Sequence, residues 1–437
     1  MNFLFYLFCT LLYALTSNSF LLLARDLRWL LLFIPAFLFI NAIPGLFLKT
    51  RSLRLRICNH GGRILAIFLA SSMISVIWHI HLAIRSIPDD IPTLLWSMLL
   101  CVILEAILFW NGILCVYMTS VQLGIKQRVI GALCGMIPIA NLIALENIIK
   151  ISLAEARFEA KREALNHARR KDRLCATKYP LLLVHGVFFR DSNFFNYWGR
   201  IPADLIENGA VIYYGNHQSA ASVEDSASEL TERIKAIVAE SGCEKLNIIA
   251  HSKGGLDCKY ALSKLDAAPY VASLTTINTP HKGCIFADVL LTKIPEQVKN
   301  KAADMYNAAL RKFGDSNPDF IAAVSNLTAS FCASLDCDNI PEEIYQRSVG
   351  SVMPKACDGK FPLNLSYHLV KYFDGPNDGL VSTDSFKWGS NHRVLTPKGR
   401  RGISHADMID LNRENIDGFD VREFYLELVH ELKEQGL

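Results

Sequence analysis

The sequence predicts an α/β fold with a mostly parallel sheet, preceded by an all-α transmembrane region. Three observations carry this. Residues 1–150 hold five apolar stretches, each near the ~20 residues a helix needs to cross a bilayer core. From residue 179 onward, short apolar runs alternate with helical patterns. One serine stands in a small-residue turn between such a run and the helix that follows it.

Composition agrees with a chain of two characters. Its 437 residues exceed what one domain usually needs. It is 51% hydrophobic and 20% charged, and the apolar excess sits in the first 150 residues. A net charge of +3 is too small to suggest a nucleic-acid partner. Of 12 cysteines, those beyond the apolar half (Cys175, Cys243, Cys258, Cys284, Cys332, Cys337 and Cys357) lack a metal-ligand spacing and read as buried and free thiols. A Cys332–Cys337 disulfide would suit an oxidising compartment.

The apolar stretches cover 3–24, 29–48, 64–84, 93–118 and 129–149. The first reads as a retained helix rather than a signal peptide: it lacks a basic leader, and the second follows after only Arg25-Asp26-Leu27-Arg28. Loop charge gives the orientation. Lys49, Arg51, Arg54, Arg56 and Arg63 place loop 49–63 inside, Arg85 against Asp89 and Asp90 places loop 85–92 outside, and Lys126 with Arg128 places loop 119–128 inside. The fifth stretch breaks the pattern. It contains Gly135, Pro138, Asn141, Glu146 and Asn147, and the basic residues after it (Arg157, Lys161, Arg162, Arg169, Arg170, Lys171, Arg173) belong inside by the same rule. A fifth crossing and a re-entrant or interfacial helix both remain open, so the region holds four or five membrane helices and the side of the second half is undecided. Residues 151–177 read as a charged helical linker, either a solvated helix or a basic face on anionic headgroups.

Residues 178–437 form the second half. Leu181-Leu182-Leu183-Val184, Ala210–Tyr214, Leu246–Ala250 and Ser273–Ile277 suit strands buried on both faces, with helices over 224–240 and 255–265 between them. The motif Ala250-His251-Ser252-Lys253-Gly254-Gly255 is a nucleophile elbow with alanine in its first position, the mildest departure from glycine. It makes the expected fold that of an α/β-hydrolase and Ser252 the candidate nucleophile. A serine alone is weak and needs a base and an orienting acid, which follow in the order serine, acid, histidine. Asp378, in a polar turn before Leu380-Val381, is the first candidate acid, with Asp374 its rival. His405, beside Gly402, is the first candidate base, with His392 its rival; His368 precedes Asp378 and violates the order. The oxyanion would be held by backbone N–H groups of Lys253 and of Val187, in His185-Gly186-Val187-Phe188-Phe189, where glycine permits close approach. His185 reads as a structural histidine.

These residues resemble the bacterial triacylglycerol lipases of the Pseudomonas and Burkholderia type from about Tyr179 to Leu411. The resemblance rests on Leu183-Val184-His185-Gly186-Val187, Tyr197-Trp198 with Leu205–Ala210, Thr276-Ile277-Asn278-Thr279-Pro280-His281-Lys282-Gly283, and Asn377-Asp378-Gly379-Leu380-Val381-Ser382. It strengthens Asp378 and His405 as acid and base, and it makes residues 284–345 a lid, with an apolar face from Val289, Leu290, Leu291 and Ile294, then Met305, Ala309 and Leu310. A plain cap over an acyl pocket is the other reading of that segment. The resemblance also implies a structural calcium ion near the histidine, with Asp407 as one ligand and Asp358 near the place of a second; the chemistry itself needs no cofactor. Asp407 simply orienting the histidine loop is the other reading, and the preferred one. The expected activity is cleavage of lipid carboxylic esters through an acyl-enzyme, by an integral protein of a bacterial cell membrane. A lipid acyltransferase with the same triad, and a membrane sensor or scaffold with a vestigial hydrolase domain, are the alternatives.

Overall fold

The computed structural model describes residues 2–45, 47–86, 90–135, 137, 139–187, 196–218, 220–312, 318–337 and 339–437. Asp89, Pro138, Phe188 and Phe189 lie outside the described residues, as do the side chains of Ala309 and Leu310. The chain divides into two units, Met1–His167 and Ala168–Leu437.

The first unit is helical: α1 (Asn2–Ser17), α2 (Phe20–Arg25), α3 (Leu30–Ala42), α4 (Leu53–Ser86), α5 (Ile91–Thr119), α6 (Gly124–Cys134) and α7 (Ala140–Arg169). Of the five apolar stretches, the third and fourth become α4 and α5, which are long and apolar enough to cross a membrane. The first two form shorter apolar helices. The fifth divides at Gly135, a poor helix former, into α6 and the start of α7. Residues 151–169 continue α7, so most of the charged segment is the second half of a longer helix rather than a separate linker.

Only 33% and 28% of the apolar windows in α4 and α5 are buried, and Ile77, Ile84, Val102, Trp110 and Met118 are exposed. The inner faces pack Ile64, Leu65, Ile67, Leu108 and Val116 with Cys9, Tyr13, Ile40 and Leu123. Two carboxylates buried there accept hydrogen bonds from neighbouring segments, which offsets part of the cost of burying them in an apolar bundle. Glu105 accepts from the hydroxyls of Ser71 (3.0 Å) and Ser72 (3.3 Å). Glu155 accepts from Ser120 Oγ (2.6 Å) and the Val121 and Gln122 N–H groups (both 3.1 Å), and pairs with Arg54 at 2.6 Å.

The second unit runs β1 (Leu181–Val184), α8 (Ile201–Glu207), β2 (Ile212–Tyr214), α9 (Val223–Ser241), β3 (Leu246–His251), α10 (Lys253–Ser263) and β4 (Val271–Ile277). Four helices follow, α11 (Ile285–Lys293), α12 (Glu296–Lys312), α13 (Phe320–Ser325) and α14 (Ala329–Ser334), in the segment expected to form the lid. The chain closes with β5 (Tyr345–Ser351), α15 (Leu363–Asp374), β6 (His392–Leu395) and α16 (Val421–Glu434). The strands form one parallel sheet in the order β2-β1-β3-β4-β5-β6, which with helices on both faces is an α/β-hydrolase fold.

Strand periodicity divides the core in two. Leu181, Leu183, Ile249, Ile277 and Val349 point to one face, under α8 and α16, where Trp198 and Tyr425 meet edge to face at 6.0 Å. Leu182, Val184, Ile248, Ala250 and Leu274 point to the other, under α9 and α10. Each of β1, β3 and β4 is buried at every position, which is why β1 reads as a continuous apolar run and β3 and β4 as apolar runs with polar interruptions. Cys332 and Cys337 are both free, so the disulfide considered from the sequence is not formed. Their thiols are directed at carbonyls instead, Cys332 at Pro280 (3.6 Å) and Cys337 at Leu335 (2.9 Å).

Ile249 is fully buried in the central strand. Ile249→Ala is expected to cost about 2–5 kcal/mol through lost burial and the cavity left behind. A urea midpoint equal to that of the parent chain would contradict this placement.

Candidate active site

The sheet order fixes where a site can form. From β1 the chain goes to β2 on one side, and it returns to β3 on the other, so the loops leaving β1 and β3 diverge and leave a crevice at their carboxyl ends. The β1–β3 register pairs Val184 with Ala250. Two residues further, this brings Gly186 level with Ser252. A Cβ on Gly186 would lie 2.8 Å from the Ser252 Cβ, so only glycine allows the approach.

Ser252 bends the chain from β3 into α10 with φ 56° and ψ −132°, a conformation that L residues avoid and that the surrounding packing must enforce. Gly254 makes that packing possible: a Cβ there would meet the His185 carbonyl oxygen at 2.3 Å. The Ser252 side chain is half-buried beside the amino end of α10, and no hydrogen bond joins its hydroxyl to His405 in this state. Such bonds are often open before substrate binds.

Tyr197 ties the two loops together. Its phenol accepts from the Gly186 N–H (3.0 Å), which leaves its proton for His251 Nδ1 (2.7 Å). The Lys253 side chain turns inward, where Nζ bonds Asp257 (2.7 Å), Ser226 Oγ (3.0 Å) and the Ser222 carbonyl (3.3 Å), locking α10 to α9. Only its backbone amide is left toward the elbow. Among the described residues, neither that amide nor the Val187 amide donates to a protein acceptor. The Val187 side chain packs with Ala220 and with Ala323 of α13, so the helical segment α11–α14 abuts this loop.

Asp378 and His405 are brought together. His405 Nδ1 donates to Asp378 Oδ2 at 2.6 Å, and the His405 backbone N–H donates to the Asp378 carbonyl at 2.9 Å. Because the carboxylate only accepts, the imidazole carries its proton on Nδ1. Asp378 is fully buried, and four donors cover its oxygens: Leu380 N–H (2.9 Å) and Val381 N–H (2.8 Å) on Oδ1, Asn278 Nδ2 (2.5 Å) and His405 on Oδ2. Asn278, at φ 49° just after β4, is in turn tied to Ser351 at 2.8 Å. The His405 ring lies 4.5 Å from that of His251, next to Ser252.

The rival residues are engaged elsewhere. Asp374 caps α11 by accepting from the Ile285 (2.8 Å) and Phe286 (3.0 Å) amides. His392 opens the edge strand β6 and His368 lies on α15, both exposed. His185 is buried, stacked on His217 at 4.1 Å. Sequence reasoning assigned no role to Asn278, Tyr197 or His251; the first two lay within segments that carried the resemblance, which was the available signal.

Asp407 does not fit a calcium ligand. Both its oxygens take the Arg401 guanidinium (3.0 and 3.1 Å), and Oδ2 also takes the Ser404 N–H (2.8 Å) and hydroxyl (2.7 Å). Asp358 accepts from the Lys355 amide. Among the described residues no three His, Cys, Asp or Glu side chains are grouped to hold a metal ion.

No family model matches the chain. Curated relatives do. The triacylglycerol lipase of Pseudomonas fragi is 30% identical over 297 residues, which cover 60% of this chain and 98% of the relative. The chain belongs to the triacylglycerol lipase family. The triacylglycerol lipase of Pseudarthrobacter phenanthrenivorans is 32% identical over 198 residues, 43% of this chain, and the match spans 59% of that relative's length. Among solved structures, the mature Bacillus licheniformis lipase BlEst2 aligns over 58% of this chain and 92% of its own, with 21% identity and a TM-score of 0.43.

Burial makes this lipase-family site sensitive to acid. Burial, with His405 beside it, holds His251 well below the ordinary histidine value. Burial and the stacked His217 push His185 down to about 3, and burial with the Lys259 charge lowers His281. Below pH 6.5 the unfolded chain therefore binds protons that the folded chain refuses, and stability is lost as pH falls. Each such histidine contributes roughly 1.4 kcal/mol per pH unit once well below 6.5. Asp257, pushed up to about 6 by burial, and Asp407, also raised by burial, take up protons when folded and offset part of this. Urea midpoints measured from pH 7.5 to 5 are expected to fall, and His281→Gln is expected to flatten the fall by about one proton. A slope unchanged by that substitution would show that His281 titrates normally.

Proposed function

We propose that this chain is a membrane-anchored serine hydrolase that cleaves carboxylic esters of lipids through an acyl-enzyme. The observation that carries the reading is the 2.6 Å His405–Asp378 bond beside a strained serine turn whose neighbouring Val187 and Lys253 amides donate to no protein acceptor among the described residues.

The chemistry follows from these atoms. The Ser252 hydroxyl oxygen attacks the ester carbonyl carbon while its proton passes to His405 Nε2. Asp378 keeps the Nδ1 proton and steadies the imidazolium; Asn278 and the Leu380 and Val381 amides hold the carboxylate in place. The carbonyl oxygen, now negative, accepts from the Val187 and Lys253 amides. Collapse breaks the ester bond, and the leaving alcohol takes the proton from His405. Water repeats the sequence on the acyl-serine and frees the fatty acid. An ester of a lipid suits the helical segment α11–α14, where Leu290, Val298, Met305 and Tyr306 are exposed. Membrane anchoring is supported by α4 and α5, whose apolar sides face outward over most of their length.

Fluorophosphonate labelling and hydrolysis of a short glycerolipid test the site. Ser252→Ala is expected to abolish labelling and to lower kcat by about 10³-fold or more, and Asp378→Asn by a comparable factor. Labelling that persists in Ser252→Ala sinks the assignment. Free fatty acid as the main product, with a competing alcohol present, separates hydrolysis from acyl transfer. Alkaline carbonate washing is expected to leave the full chain in the membrane fraction, and its release would refute the anchor.

A further inference from the structure

The family resemblance implies a calcium ion beside His405, and Asp407 does not fit one. His405 sits in a loop whose neighbours are tied down by one guanidinium. Arg401 Nη2 bridges both oxygens of Asp407, a residue only 4% exposed and two positions after His405. Its Nε donates to the Asp358 carbonyl at 2.9 Å, and its Nη1 pairs with Glu414 at 3.0 Å. Glu414 is balanced on its other oxygen by Lys360 at 2.6 Å. One planar cation thus joins the turn Ala356–Asp358, the loop 401–407 and the segment at 414. Asp407 passes the constraint on through Ser404, whose amide and hydroxyl it accepts, to the adjacent His405.

We propose that Arg401 is a positioning residue that does here, by a fixed charge in the chain, what a structural calcium ion would do in the site the family resemblance implies. The chemistry of the two cations supports the exchange. Calcium needs six to eight oxygens at about 2.3–2.6 Å, flexible in arrangement. A guanidinium needs acceptors in the plane of its fork, and Asp407, Asp358 and Glu414 supply them. It also cannot be removed by chelation or exchanged for another ion. The inference rests on the reading of His405 as the base, but its calcium arm does not depend on activity.

The experiment uses the purified full chain. Thermal midpoints, read by tryptophan fluorescence, and kcat and KM on a p-nitrophenyl ester are measured after EDTA treatment and again with millimolar CaCl₂. Neither treatment is expected to move the midpoint or kcat of the parent chain. Arg401→Met is expected to lower the midpoint and to cut kcat about tenfold or more with little change in KM, because a shifted imidazole costs turnover rather than binding. Arg401→Lys is expected to recover part of both losses. A parent midpoint raised by calcium or lowered by EDTA overturns the proposal, as does an Arg401→Met chain with parental kcat or an Arg401→Lys chain no better than Arg401→Met. If Arg401→Met does not fold, the parent's calcium response and the lysine variant still decide. Failure of the catalytic reading itself would show separately, as absence of fluorophosphonate labelling at Ser252.

Discussion

The close approach of two backbones at the carboxyl end of the sheet governs everything around the site. Strands β1 and β3 hold a register in which Gly186 and Ser252 meet with no room for a Cβ. That register is not arbitrary. A shift by one residue would turn Leu181 and Leu183 toward α9, and Leu182 and Val184 toward α16, exchanging two packed cores at once. The buried aliphatic side chains therefore set the position of the serine turn, and the backbone strain at Ser252 is sustained by packing that is far larger in energy than the strain itself.

Much of this was legible in the sequence because fully buried strands write themselves as apolar runs. β1 and β3 stood out for that reason, β4 less sharply because Ser273, Thr275 and Thr276 interrupt it, and the serine turn stood out because small residues flank it. β5 and β6 did not. β5 carries Tyr345, Gln346, Arg347 and Ser348, and Arg347 is tolerated near the sheet because Glu431 pairs with it at 2.6 Å and the Tyr345 phenol lies at 2.8 Å. β6 is an edge strand with His392 and Arg393 exposed, so it has no apolar signature. At the site, chain order and resemblance singled out Ser252, Asp378 and His405, and the structure joins the last two by a hydrogen bond. Asn278 was not, since a single asparagine after a strand has many structural uses, and its bond to Asp378 spans a hundred residues. Asp407 was visible, but its partner was not: nothing in Arg400-Arg401 announces which of two adjacent arginines turns inward.

The helical half was legible in a coarser way. Hydropathy marked the stretches; α5 follows its stretch closely, while α4 begins at Leu53, within the segment read as the loop 49–63. It did not mark where helices join. The fifth stretch and the charged segment after it looked like different elements because their compositions differ, yet α7 runs through both, since helix continuity depends on backbone hydrogen bonds and not on polarity. The buried serines and glutamates of this half were likewise hidden by the apolar average around them.

The bond from Tyr197 to His251 has an effect on charge. With Nδ1 occupied as an acceptor, His251 is kept as the neutral tautomer with its hydrogen on the far nitrogen. Its ring lies 4.5 Å from that of His405. Two positive imidazoles at that spacing would repel each other. The phenol thus acts as a guard: it spends its own hydrogen on the inner histidine and keeps that ring uncharged beside the Ser252 turn.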